Sequence, residues 1–183
     1  MSIKSVCVYC GSRAGALPAY AQAAREFGQA LAENGMRLVY GAGDVGLMGE
    51  VARAAQAAGA ETFGVIPGHL EKREVGKSDL TTYVVTETMH ERKKVMLWNA
   101  DAVVVLPGGA GSLDELFEAL TWRQLGLHGK PIVILNTAGY WDKLRSLLEH
   151  VVDQSFASRE TADYLIWADT PAAAIAALRD TRS

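Results

Sequence analysis

The segment Pro107-Gly-Gly-Ala-Gly-Ser-Leu-Asp-Glu115 joins a glycine-rich turn to a carboxylate. Glycines let successive backbone N–H groups converge on an anion, and a helix starting there adds the positive end of its dipole. That chemistry suits a phosphate. No Gly-Lys-Ser/Thr follows at the spacing of a P-loop, so the phosphate would be held by backbone groups rather than by a dedicated lysine. Glu115 falls about one helical turn beyond the glycines. Two readings of it stand open: with Ser112 it forms the spacing of a capping box, or it supplies a carboxylate for proton transfer or charge stabilisation. Glutamine at 115 separates them, because it can cap but cannot act as a base.

A second cluster, Met89-His-Glu-Arg-Lys-Lys-Val-Met96, aligns Met89, Arg92, Lys93 and Met96 on one side of a helix. A basic run of this kind is commonly a solvated face, and Lys94 fits that description. Arg92 and Lys93 lie just after an apolar strand, so their turn opens toward the same end of the sheet as the glycine loop. An arginine there can hold a phosphate or carboxylate in bidentate fashion. A third loop, Gly41-Ala-Gly-Asp-Val-Gly46, has the G-x-G-x-x-G spacing of dinucleotide-binding turns. The acid expected about 20 residues on, at the end of the next strand, is missing.

These loops need a scaffold that brings strand ends together. Short β-branched runs at residues 5–10, 37–40, 62–66, 82–86, 101–106, 131–136 and 164–167 alternate with helical patterns at 18–33, 47–58, 89–99, 113–124, 140–154 and 171–179. Such alternation predicts an α/β fold: a doubly wound, Rossmann-like parallel sheet of about seven strands with helices on both faces. Ligands of such sheets bind beyond the carboxyl ends of the strands, where the strand order reverses. The loops beginning at Cys10-Gly-Ser12, Tyr40-Gly-Ala-Gly43 and Leu106-Pro-Gly-Gly109 all leave strands at that edge. The charged stretch from Pro67 to Leu80 follows neither period, which suggests service to a site or interface.

The chain has 183 residues, 49% of them hydrophobic, and a net charge of -3. One domain spanning 1–183 is expected, and the charge balance gives no field for a nucleic-acid partner. No apolar run is long enough for a membrane span or signal core, so a cytoplasmic location is expected. Cys7 and Cys10 share a strand, where alternation sends them to opposite faces, and the four histidines have no paired spacing. Neither a dithiol centre nor a metal site is expected from them. Thr137 onward reads as scaffold.

The glycine-rich segment at 107–115, taken with Arg92-Lys93, resembles the signature of the LOG ("Lonely guy") phosphoribohydrolases, a family once labelled lysine decarboxylases. Cys10-Gly-Ser12, Tyr40-Gly-Ala-Gly-Asp-Val-Gly-Leu-Met-Gly49 and Thr121-Trp-Arg-Gln-Leu-Gly126 add to the likeness. It extends to about Asn136. Ser112 stands where the family usually carries threonine, and Ala42 where a further glycine is common.

The resemblance implies hydrolysis of the N-glycosidic bond of adenosine 5′-monophosphate, plain or N6-modified, to free base and ribose 5-phosphate. No metal or other cofactor is implied. The implied catalytic pair is Arg92 and Glu115. Implied substrate contacts are Glu74, Arg92, Lys93, Gly108, Gly109, Ala110, Gly111, Ser112, Leu113, Asp114 and Thr121, with Ser12, Arg13, Gly43 and Met89 as further pocket or phosphate neighbours. The partner implied is a small nucleoside monophosphate, and a homodimer is expected through the helices at 89–99 and 113–124. Two rival functions remain open on sequence: a non-catalytic nucleotide sensor using the same phosphate loop, and a dinucleotide-dependent oxidoreductase built on Gly41–Gly46. A decarboxylase would need a lysine placed for pyridoxal phosphate, and no lysine context singles one out.

Overall fold

The computed structural model describes residues 2–71 and 76–180. In chain order the elements are β1 (Ser5–Tyr9), α1 (Pro18–Glu33), β2 (Arg37–Tyr40), α2 (Gly46–Ala57), β3 (Thr62–Pro67), β4 (Thr82–Thr86) and α3 (Met89–Trp98). They continue as β5 (Ala102–Val105), α4 (Ala110–Gln124), β6 (Ile132–Leu135), α5 (Asp142–Asp153), α6 (Arg159–Asp163), β7 (Leu165–Ala168) and α7 (Pro171–Asp180). The strands form one seven-stranded parallel sheet in the order β4-β3-β2-β1-β5-β6-β7. This is the doubly wound architecture expected. From β1 the chain steps outward to β4, then returns to the other side of β1 at β5. The order therefore reverses between β1 and β5, and the crevice above those strand ends is where such sheets bind ligands.

Alternation along β1 explains the two-sided core. Val6, Val8 and Cys10 pack on one face with Phe27 and Leu31 of α1 and Val51 of α2. Cys7 and Tyr9 pack on the other with Met96 of α3 and Leu116 and Leu120 of α4. The two thiols are thus outside any disulfide and buried on opposite sides, as a strand period of two requires. Burial pushes the Cys7 thiol and the Tyr9 phenol well up, and the nearby Glu115 carboxylate adds to both rises.

Two helix starts differ from expectation by two residues or more, and one short helix was not expected. The helix expected from residue 113 begins at Ala110, with Gly109 as its N-cap and no side-chain cap bond. Ser112 and Glu115 therefore lie inside the first two turns and are not a capping box. The genuine capping box is at the start of α3, where Thr88 accepts from the Glu91 N–H at 3.1 Å and Glu91 accepts from the Thr88 N–H at 3.1 Å. The helix expected from residue 140 begins at Asp142, because Ala138 (φ 53°) and Gly139 (φ 70°) are left-handed. The short α6 carries too little apolar period to be recognised from sequence. Among the described residues no helix is long and apolar enough to cross a membrane.

Candidate active site

The β1 loop, the β2 loop and the β5 loop are bound into one floor by their backbones. The Gly11 N–H donates to the Pro107 carbonyl at 3.0 Å, and the Leu47 N–H donates to the Gly11 carbonyl at 3.0 Å. Gly46 sits against the backbone of Ser12 and Arg13 with φ 54°, a left-handed conformation that glycine adopts without a Cβ clash. Ala42 holds φ 57° despite its side chain, so the alanine that departs from the family pattern is kept at some strain. Its carbonyl accepts from Lys77 at 2.8 Å, while Gly43 bridges to Gly76. Residues 76–77 are thereby laid along the β2 loop, which accounts for part of the segment that periodicity left unexplained.

Over this floor opens a cavity of about 460 Å³, a size ordinary for small-molecule sites. Its walls carry Gly108, Gly109, Ala110, Gly111 and Ser112 from the β5 loop and α4, together with Glu115. Ser12 and Arg13 join from the β1 loop, and Met89 and Arg92 from α3. Because α4 starts at Ala110, the N–H groups of Ala110, Gly111 and Ser112 precede the first helical acceptor; the first turn closes with Leu113 donating to Gly109 at 3.1 Å. A helix start uncapped by side chains, at a wall of the cavity, is an arrangement that favours an anion. Val8, Leu47, Met48 and Met96 give the cavity an apolar portion.

Arg92 is only 4% exposed. Its Nε donates to the Val65 carbonyl at 3.1 Å and its Nη2 to the Gly41 carbonyl at 2.6 Å. The guanidinium is thus fastened to the ends of β3 and β2 while still lining the cavity. Gly41 explains itself through this contact: a Cβ there would fall on the guanidinium. That makes the first glycine of the G-x-G-x-x-G loop a seat for Arg92, a role no spacing rule distinguishes from a dinucleotide turn.

Several expected contacts face elsewhere. Lys93, one residue and about 100° of helix from Arg92, turns to α4, where its Nζ meets Asp114 Oδ2 at 3.0 Å and Glu118 Oε2 at 2.9 Å. Burial works against the Lys93 charge, but Glu118 and Asp114 outweigh it and hold its pKa above the ordinary lysine value. Lys93 and Asp114 therefore form a clamp between α3 and α4. Leu113 packs against the core face beneath α4, and Thr121 is exposed farther along that helix. Gly43 is buried in its bridge. None of Lys93, Leu113, Asp114, Thr121 and Gly43 is among the described residues of the cavity wall. Glu74 lies outside the described residues. Conversely, Tyr20, from α1, and Tyr140, from the stretch read as scaffold, both line the cavity. The expectation that Thr137 onward carries no site residue is corrected accordingly.

A family model described as "Possible lysine decarboxylase" matches residues 48–178. The chain is 44% identical over 155 residues to cytokinin riboside 5′-monophosphate phosphoribohydrolase LOG7 of Arabidopsis thaliana, covering 85% of this chain and 71% of that protein. It is 42% identical over 167 residues to the LOG enzyme of that name from Oryza sativa subsp. japonica, covering 91% and 69%. The chain belongs to the LOG family. Among solved structures, the molybdenum cofactor carrier protein of Chlamydomonas reinhardtii superposes with a TM-score of 0.75 at 23% identity, over 97% of this chain and 96% of that one. The molybdenum cofactor binding protein of Rippkaea orientalis gives 0.74 at 23%, over 100% and 99%. At that identity these two show the LOG chain's fold alone.

Proposed function

We propose that the chain hydrolyses the N-glycosidic bond of adenosine 5′-monophosphate or an N6-modified relative, releasing the base and ribose 5-phosphate. One observation carries the reading: an uncapped helix end, an anchored Arg92 and Glu115 all line a single cavity that also has an apolar part. The 5′-phosphate would take the N–H groups at the start of α4, and the base would rest against the methionines. In the reaction the C1′–N9 bond breaks with its electron pair passing to the base, and a water oxygen bonds to C1′. The sugar is oxocarbenium-like in between, so a carboxylate beside it stabilises positive charge and takes the proton of the attacking water, a proton that ends on the released base. Glu115 fills that role. Arg92 positions phosphate or ribose, a contribution made by orientation rather than proton transfer.

The decarboxylase in the family model's description finds no support in this site, since no lysine is among the described residues of the cavity wall. The test is incubation with AMP and, in parallel, isopentenyladenosine monophosphate, with chromatography of the products. Free base in equimolar amount with ribose 5-phosphate supports the proposal. Intact nucleotide in both would leave a binding protein in its place.

The chain is further proposed to act as a single domain, since both core faces share one sheet. It is proposed to work in the cytoplasm, where its two thiols, neither in a disulfide, would stay reduced. A homodimer through α3 and α4 is supported by the stacked Trp98–Trp122 pair, 6.2 Å between rings, and by exposed Phe117 and Leu125 nearby in sequence. Light scattering tests it: Trp98→Lys would halve the mass of a dimer held by this face.

A further inference from the structure

Tyr140 reaches the cavity wall on a turn held in a strained backbone conformation. After β6 the backbone passes through two successive left-handed residues, Ala138 (φ 53°) and Gly139 (φ 70°), the first carrying a side chain that disfavours it. The turn is braced from both sides: Asn136 Oδ1 accepts from the Trp141 N–H at 2.7 Å and Asn136 Nδ2 donates to Asp142 Oδ1 at 2.8 Å. Such a conformation persists only where its surroundings enforce it, and it is commonly stored at functional sites. The turn seats Trp141 in the core and leaves Tyr140, 39% exposed, at the cavity wall. The Tyr140 hydroxyl donates to the Gly108 carbonyl at 2.6 Å, and its ring meets Tyr20 edge-to-face at 5.4 Å.

The geometry points to Tyr140 as the positioning residue of the phosphate loop. A trans peptide is planar, so fixing the Gly108 carbonyl also fixes the Gly109 N–H on the opposite side of the same plane. Gly108 and Gly109 have no side chains to hold that plane by packing, and Gly109 is the N-cap of α4. The tyrosine supplies the missing constraint from outside the loop. Orientation of the amide is thereby set before any anion arrives, which lowers the cost of binding one. Tyr20, seated over Gly15, holds the Tyr140 ring in place.

This inference rests on the phosphate assignment proposed above and deepens it. The experiment compares Tyr140→Phe, which keeps the ring and loses the hydroxyl, with Tyr140→Ala, which loses both. Binding of AMP and of adenosine is measured by calorimetry, alongside the kinetics of base release. Loss of a hydrogen bond that presets a binding loop is expected to weaken AMP by roughly 3- to 10-fold in the phenylalanine variant. Its KM should rise by the same factor while kcat stays within about twofold, and the alanine variant should be weaker again. Adenosine affinity should be unchanged in Tyr140→Phe, because adenosine brings no phosphate and the ring at the cavity wall is kept. Equal weakening of AMP and adenosine, or an unaltered AMP affinity in Tyr140→Phe, would overturn the assignment. If the unmodified protein binds AMP but releases no base, the hydrolase reading fails, and the calorimetric comparison still decides the role of Tyr140.

Discussion

Replacing Arg92 by alanine should remove both function and a measurable part of the fold. The guanidinium makes two hydrogen bonds to buried carbonyls, at 3.1 Å to Val65 and 2.6 Å to Gly41. Bonds to a charged donor are worth about 1.5–3 kcal/mol each, so two give about 3–6 kcal/mol, from which the relief of no longer burying a cation is subtracted. A net loss of about 3 kcal/mol is expected. For a domain of this size that corresponds to a fall of about 6–12 °C in Tm. Lys94, exposed on the same helix, sets the control: Lys94→Ala should change stability by no more than about 0.5 kcal/mol. Arg92→Lys should keep a cation yet leave one carbonyl unserved, because a single ammonium on a different stem does not reproduce the planar fork. Thermal and urea melts followed by circular dichroism, with AMP hydrolysis on the same samples, give the comparison. An Arg92→Ala protein melting within about 2 °C of the parent would refute the claim that the sheet edge is fastened through this side chain.

Three further outcomes follow from the same contacts. Gly41→Ala places a methyl group on the guanidinium; it should cost about 1–3 kcal/mol in melts and at least tenfold in base release, and full activity would show that Arg92 can sit elsewhere. Gly111→Ala meets nothing near the added carbon and lies within α4, so stability should rise by about 0.5–1 kcal/mol while AMP binding weakens at the cavity wall, an opposition read by melts and calorimetry. Lys93, whose pKa is raised in the fold, contributes fully below the ordinary lysine value of 10.5 and loses its contribution as pH climbs through the raised value. Lys93→Met should therefore lie about 1 kcal/mol below the parent near neutrality, discounted for the exposure of Asp114, and the gap should close in alkaline melts above about pH 10.5.

The sheet and its ligand-binding edge were legible because β-branched runs and glycine loops alternate along the whole chain. The start of α4 was not. Ser112-Leu-Asp-Glu115 has the spacing of a capping box, and sequence alone does not show that the helix begins a turn earlier on Gly109. That shift releases Glu115 from the structural reading that competed with its chemical one. Arg92 and Lys93 were grouped because helical spacing gives a face roughly, whereas the 100° between adjacent residues sends one to the cavity and the other to α4. Tyr140 left no signal: it reaches Gly108 across 32 residues of sequence, on a turn whose left-handed alanine no propensity predicts. Gly41 looked like one member of a dinucleotide motif, and only the position of Arg92 gives its reason.

Base release from AMP by the parent protein and by Glu115→Gln, each first verified by its melting curve, tests the central claim most directly. Glu115 lies inside α4 rather than at its cap, so glutamine should leave Tm within about 2 °C and lower the hydrolysis rate by at least about 100-fold, in the range that a positioned proton-transfer group supplies. A Glu115→Gln protein that releases adenine at the parent rate would contradict the account.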